Sequence, residues 1–249
     1  TLGITTGITF RLIEPHKHAE MLVIFLNSLT HLAETIQHLK KYHPESIESY
    51  DDHTLFLATK IIPRNISLVL QFLPEFGMLL TGGMPKLVLI TEFTGTKKEE
   101  VRSRMLAARS ALAKYDIRSR IAKNAKDRGK YWTIRRESFN LLRHNIKNKT
   151  PAPFIDDFIV RPEFLPEFLP KLASILHQHN MDYTIAGHAG DGNFHIIPLM
   201  NLKDRRQRDL IPKVSQEVYN LVFAYHGSST AEHNDGLARS HLLPQMFGN

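Results

Sequence analysis

Residues Ala186–His195 read AGHAGDGNFH, and the fold turns on how this stretch is read. Asp191-Gly192 is a strong signal for a two-residue hairpin loop, because a type I′ turn takes residues that accept positive φ. Strand-like runs flank it around Tyr183–His188 and Asn193–Leu199, so the two are expected to pair antiparallel. With Asp191-Gly192 as the whole loop, counting outward sets Gly190 against Asn193, Ala189 against Phe194 and His188 against His195. Directly opposed residues share a sheet face with Cβ atoms about 5 Å apart. Two imidazoles at that separation can share one metal ion, and Asn193 points to the same face as His195.

Outward from the hairpin, Glu163–His179 and Asp204–Ala224 predict helices and Phe154–Val160 a strand. Lys149–Pro153 (KTPAP) is a turn or linker. Before it, Gly7–Ile13, Met21–Leu26, His53–Ile62 and Lys86–Phe93 predict strands, and about Leu29–Tyr42 and Asn65–Phe76 helices. Thr96 and Glu99 form the pattern of a capping box for a helix towards Tyr115, and helical periodicity returns over Ser119–Asn145. Both ends of the chain thus carry a strand–helix–strand unit of similar size. The expected fold class is α+β, an antiparallel sheet flanked by helices and built from a duplicated small sandwich.

Composition sets bounds on function. The chain has 249 residues, 42% hydrophobic and 23% charged, which excludes a disordered chain or a fibre. The apolar run Met21–Leu26 is six residues, far short of the roughly twenty that a membrane-spanning helix needs. With no cysteine, disulfides, thiolate metal sites, iron–sulfur clusters and a catalytic thiol are all excluded. No secretory signal opens the sequence, so a cytoplasmic location is expected, with peripheral contact at the inner membrane face as a variant. The chain starts at Thr1 in what reads as mid-element, and the expectation is a piece of a longer protein.

The net charge of +7 is unevenly placed: 17 Lys and Arg against 5 Asp and Glu lie between Lys97 and Lys149. Such a block can be a solvated helix pair, can steer an anionic substrate or rest on an anionic membrane, or can track phosphates. It carries no recognised nucleic-acid motif, and only Tyr115, Tyr131 and Trp132 offer stacking surfaces.

One histidine pair among fourteen histidines is more often structural than metal-binding. A third ligand improves the case: Glu232 sits in GSSTAEHNDG, a glycine-, serine- and asparagine-rich loop. Two histidines and one carboxylate make a catalytic metal set with open positions, suited to zinc, manganese or iron. His233 would stand beside that set as a general base, or else as a hydrogen-bonded loop residue. Arg135, in WTIRR, is a guanidinium able to clamp a carboxylate in bidentate fashion, or one more solvated arginine. Thr81–Lys86 (TGGMPK) lacks P-loop spacing, and Ser228 and Ser229 lack the nucleophile-elbow pattern.

GHAGDGNFH followed by AEHNDGLARSHLL resembles the C-terminal (cap) domain of the FAD-linked oxidases, the group that includes D-lactate dehydrogenase, the glycolate oxidase D-subunit and D-2-hydroxyglutarate dehydrogenase. WTIRR and FIDDFIVRPEFLPEFL resemble further family segments, and TLGITTGITFRL looks like the end of that family's flavin-binding domain. The resemblance implies a ferredoxin-like duplicated cap over residues 14–249, with 1–13 closing a flavin-binding domain. It implies His188, His195 and Glu232 as divalent-metal ligands, His233 as the base beside the flavin, Asn193 as a substrate contact and Arg135 as the carboxylate clamp. The implied reaction is oxidation of a D-2-hydroxy acid by hydride transfer to FAD, with the metal polarising the substrate. FAD would be held mostly by the flavin-binding domain, without which the cap is expected to be inactive.

Implied partners are a small 2-hydroxy acid, that flavin-binding domain, a quinone or electron-transfer protein and a membrane surface, with no nucleic acid. Asn234 stands where the family usually has glycine. Phe139 and Asp156 stand where the hydroxyglutarate branch places polar or basic contacts, which favours D-lactate or glycolate. Two rival readings are a stand-alone metal-dependent hydrolase using the same three ligands, and a basic nucleic-acid-binding module.

Overall fold

The computed structural model describes residues 4, 6–61, 83–145 and 149–248. At the centre of its first half, β1 (His18–Leu26) pairs antiparallel with β3 (Leu87–Gly95) in unbroken register from His18↔Gly95 to Leu26↔Leu87. β2 (Ser46–Asp51) lies on the other edge of β3, and β4 (Arg118–Ile121) on the other edge of β1. Helix α1 (Leu32–Lys40) follows β1 and α3 (Lys98–Ala111) follows β3, while α2 (Asp52–Ile61) is inserted after β2. Strand order β4-β1-β3-β2 with this connectivity is the ferredoxin-like arrangement.

Helix α4 (Ala125–Asn145) and the short β5 (Thr150–Pro151) lead into the second half. There β6 (Phe158–Ile159), α5 (Leu165–Gln178), β7 (Asp182–His188), β8 (Asn193–Met200) and α6 (Arg205–Ala224) repeat the order. β6 pairs with β8, β8 with β7, and a single bridge from Ile159 to Ser228 stands where a fourth strand belongs. The halves join into one sheet where β2 meets β7, at Ser49↔Gly187 and Tyr50↔Ala186. The duplicated ferredoxin-like expectation is met.

One face of the sheet carries the main core, where Leu22, Ile24, Leu89, Phe93, Phe158 and Phe194 pack with α1, α3, α5 and α6. The other face buries Met21, Val23, Phe25, Tyr50, Val88 and Ile90 against Leu55 of α2 and Tyr131 and Ile134 of α4. β1 is covered on both faces, so MLVIFL is continuously apolar rather than alternating.

Several local expectations need correction. Where a strand was expected over His53–Ile62, the described residues to Ile61 are helical: Asp51 Oδ1 accepts the Thr54 N–H at 2.9 Å, an N-terminal cap that overrides the apolar run. Ser119–Ile121 belongs to β4, because the free edge of β1 takes up this segment's backbone groups. The capping box does not form, and α3 starts after Lys97 with no side-chain cap. Gly7–Ile13 makes no strand, since both edges of β1 are already paired; Ile8, Phe10 and Leu12 are exposed. Phe154–Val160 contracts to the two residues of β6. The helix expected over Asn65–Phe76 lies outside the described residues.

The hairpin register also differs. His188 opposes Asn193, and Ala186 opposes His195, so the loop is the four residues 189–192. Tertiary bonds draw these residues out of the ladder: the Gly190 N–H donates to Ile47 O at 3.0 Å and the Val160 N–H to Gly192 O at 3.0 Å. A shift of two residues preserves the face, whereas a shift of one would have reversed it. His188, Asn193 and His195 therefore still share a side of the sheet.

Candidate functional site

His188 ends β7 and His195 lies diagonally across from it on β8, with ring centroids 5.5 Å apart and nearly perpendicular planes. The loop after Ser228 brings Glu232 over both rings. Glu232 Oε1 stands 3.2 Å from His188 Nε2, 3.2 Å from His195 Nε2 and 3.4 Å from His233 Nε2. The three expected ligands and the expected base thus meet around one oxygen.

The far side of each ring is held by a carboxylate. His188 Nδ1 lies 2.8 Å from Glu48 Oε1, and His195 Nδ1 lies 3.0 Å from Asp156 Oδ1. An ionised carboxylate only accepts, so Nδ1 carries the proton in both rings, and the neutral tautomer leaves each Nε2 with a lone pair. Those lone pairs face Glu232 Oε1, itself an acceptor. Only a positive charge reconciles three acceptors at such distances, either protons on the rings or a metal ion among them. Carboxylates behind the distal nitrogens are the usual outer support of metal-ligating histidines, so the residues present fit a divalent metal. The Glu48 hydrogen bond raises the His188 pKa above its ordinary value, against the opposing effect of burial.

Arg135 projects from α4 to the same place. Its Nε donates to Glu48 Oε2 at 3.1 Å, so one buried carboxylate of β2 holds both a ring of the cluster and the expected clamp. The start of α4 is fixed by Asp127, which accepts from the Lys123 N–H at 2.8 Å and pairs with Arg120 and with the buried Lys130. Burial opposes its charge, but the hydrogen bonds from Arg120, the Lys123 N–H and Lys130 hold its carboxyl at about 2. Arg120, Lys130 and Arg135 of the basic segment are therefore engaged in ion pairs within the fold.

Asn193 is buried beneath the histidines and donates through Nδ2 to Phe158 O at 3.0 Å and Asp157 Oδ1 at 3.2 Å. Asn234 has φ 62°, a left-handed conformation that asparagine tolerates in place of the expected glycine. The side chain of Phe139 lies outside the described residues.

Three residues that hold the cluster from behind have no such role in the sequence reading: Glu48, Asp156 as a histidine partner, and Asp157. Asp156 and Asp157 stand as acids inside the otherwise apolar FIDDFIV, whereas Glu48 in the mixed segment SIESYD carries no such signal. Asp157 is fully buried and accepts from the Thr230 hydroxyl and the N–H groups of Ala231, Glu232 and His233. Burial opposes its charged form, yet bonds from His233, Thr230, Glu232 and Ala231 outweigh that and keep it below the usual carboxylate range.

Comparison with known proteins follows this geometry. The profile of the FAD linked oxidases, C-terminal domain, matches residues 15–249. A D-2-hydroxyglutarate dehydrogenase of Pseudomonas putida is 27% identical over 252 residues, covering 100% of this chain and 24% of the relative. A D-lactate dehydrogenase of Anaerostipes hadrus is 23% identical over 257 residues, covering 100% of this chain and 50% of the relative. The chain thus spans a quarter to a half of these relatives' lengths. Among solved structures, an alkyldihydroxyacetonephosphate synthase superposes with TM-score 0.61 at 15% identity, over 86% of this chain and 40% of that one, a likeness of fold.

Proposed function

The chain belongs to the family of FAD linked oxidases, C-terminal domain, and from that premise we propose that it is the substrate- and metal-binding cap of an FAD-dependent D-2-hydroxy-acid dehydrogenase. The observation that carries the reading is the meeting of His188, His195 and His233 around Glu232 Oε1, with carboxylates behind the first two rings.

In this reading His188, His195 and Glu232 hold a divalent metal, zinc, manganese or iron. The metal, when bound, supplies the positive charge that lowers the pKa of the substrate hydroxyl. FAD, carried mostly by the flavin-binding domain of the same protein, supplies the two-electron acceptor. His233, with its side chain half exposed, takes the hydroxyl proton at Nε2. Arg135 binds the substrate carboxylate, with Glu48 orienting the guanidinium. Asn193 acts on substrate position from beneath the rings.

One guanidinium suits one carboxylate, and Asp156 beside His195 would repel a second. This favours D-lactate or glycolate over a dicarboxylate. The basic segment 97–149 attracts the anionic substrate or rests on an anionic membrane surface, with electrons passing on to a quinone or a partner protein. Among the described residues no helix is long and apolar enough to cross a membrane.

The test is anaerobic flavin reduction in the full-length protein with D-lactate, glycolate and D-2-hydroxyglutarate. The reading expects bleaching of the flavin by a D-2-hydroxy acid, fastest with the monocarboxylates. It also expects a hundredfold or greater loss in His233→Ala, within the usual range for a general base. No reduction by any D-2-hydroxy acid, together with metal-dependent ester hydrolysis, would replace it by the hydrolase reading.

A further inference from the structure

We propose that Asp157 is the positioning residue that builds the Glu232–His233 loop, fixing both side chains through the backbone N–H groups it gathers. The proposal rests on the metal reading only for the loop's purpose; the loop's placement stands apart from it.

From Ser229 to Asp235 the chain has neither helix nor strand. Backbone N–H groups in such a segment need partners that a ladder would otherwise give. Three consecutive ones find the same carboxylate: Ala231 N–H at 3.1 Å, Glu232 N–H at 3.2 Å and His233 N–H at 2.8 Å. The Thr230 hydroxyl adds a fourth donor at 2.7 Å and Asn193 Nδ2 a fifth at 3.2 Å. Asp157 is 0% exposed and sits at φ 66°, so its neighbours hold it in a backbone conformation that few residues adopt.

Arg239 closes the loop from the other end. It donates to Asp156 O at 2.7 Å and to Asn234 O, and its guanidinium lies 3.7 Å from Asp157 Oδ2. Position 157 is thereby tied to both sides of the Glu232-His233 pair, although it lies some 75 residues away in the chain.

Asp157 has a rival role. One of its oxygens lies within 4.8 Å of ligand atoms on His195, Glu232 and His233, close enough to suggest a fourth metal ligand. Its hydrogen bonding argues otherwise. Oδ1 already accepts from Asn193 and Glu232, and Oδ2 from Thr230, Ala231, Glu232 and His233. A metal bonded to Oδ2 would compete with the Ala231 and His233 N–H groups that this oxygen holds, and one bonded to Oδ1 would displace Asn193 and Glu232, so either would loosen the loop at a cost. Asp157 therefore shapes the loop and Glu232 reaches the metal.

Hydrogen exchange on the full chain, with metal removed, separates the two roles, and zinc titration follows on the same samples. In Asp157→Asn, an NH2 group replaces one oxygen. The amides of residues 231–233 should exchange about tenfold faster or more, as expected for lost hydrogen bonds to a charge. Zinc affinity should fall about 10- to 100-fold, as for other outer-sphere partners. Thr230→Val, which removes one donor and keeps the shape, should move both readouts the same way by less. Glu232→Gln should weaken zinc binding while the amides stay protected.

Asp157→Asn with wild-type protection overturns the proposal. If zinc affinity is lost as well, that result makes Asp157 a ligand instead. Should Asp157→Asn fail to fold, unchanged exchange in Thr230→Val overturns it. If the wild-type chain takes up no zinc, the metal reading falls and the exchange data alone decide the role of Asp157.

Discussion

In the first half of the sheet β1 and β3 run nine residues each in continuous register, whereas in the second the counterpart of β1 is the two-residue β6 and the counterpart of β4 is one bridge at Ser228. The strand order is the same. What differs is how backbone groups are satisfied. The first half uses ladders and apolar packing on both faces. The second replaces its missing ladder with a buried carboxylate, Asp157, and a buried guanidinium, Arg239. Side chains in a ladder have directions fixed by the pleat, whereas a loop wrapped around a charge can aim Glu232 and His233 at rings on a neighbouring strand. The proposed chemistry sits where the duplicated fold gives up regularity, and the regular half contributes supports, Glu48 and the anchored helix that carries Arg135.

Changes on either side of this contrast should fail differently. The largest effect is expected from Phe93→Ala, at a fully buried position in the core shared by both halves. It should cost about 3–5 kcal/mol, read as one cooperative shift in chemical denaturation. A second half that unfolds separately would break the picture of a common core.

Gly192→Ala comes next, in the irregular half. Gly192 has φ 77°, and an added Cβ would lie 1.8 Å from Val160 O. Backbone strain alone should cost on the order of 1–3 kcal/mol, and zinc affinity should fall with the hairpin's distortion. An unchanged denaturation midpoint would mean that the loop is not held as described.

Glu48→Gln sharpens the contrast by loosening a support from the regular half. Its expected outcome is a 10- to 100-fold loss of metal affinity with the circular dichroism spectrum retained. Equal metal affinity would remove Glu48 from the site.

A smaller effect concerns acid. Asp127 titrates at about 2 in the fold against an ordinary 3.8, so its folded pKa is depressed. Its contribution to stability is fully present above the ordinary value and is lost as pH falls towards about 2. Asp127→Asn should therefore lower the denaturation midpoint at neutral pH and differ little from wild type near pH 2. A difference that persists undiminished in acid would contradict the ion pairs drawn at the start of α4. Smallest of all, Asn234→Gly should change stability by no more than about 0.5 kcal/mol, because either residue takes the left-handed turn. A large change would show that the Asn234 side chain itself holds the loop.

How much of this could be read from sequence follows the same division. The duplicated small sandwich was legible because β1, β3, β7 and β8 are apolar strands of ordinary length with periodic helices around them, while its ferredoxin-like form was implied by the family resemblance. His188 and His195 were legible as neighbours because the hairpin parity survives a register shift of two, whereas Glu232 and His233 were joined to them through the loop motif and the family resemblance. The shift itself was not legible. It depends on Ile47 O and the Val160 N–H reaching the loop from distant segments. Asp157 and Glu48 were hidden for the same reason: the site residues they hold, His233 for one and Arg135 and His188 for the other, lie 76 to 140 residues away in the chain. His53–Ile62 misled because the cap supplied by Asp51 outweighed a run of strand-forming side chains.

In the proposed function the Nε2 atoms of His188 and His195 meet Glu232 Oε1 because a divalent metal binds among them. This is tested most directly by elemental analysis of the purified, folded full-length protein beside His195→Ala. Close to one zinc, manganese or iron per wild-type chain is expected, and none in the variant. Folded wild-type protein that holds no metal after incubation with all three ions would contradict it, and protonated histidines would then be what reconciles the cluster.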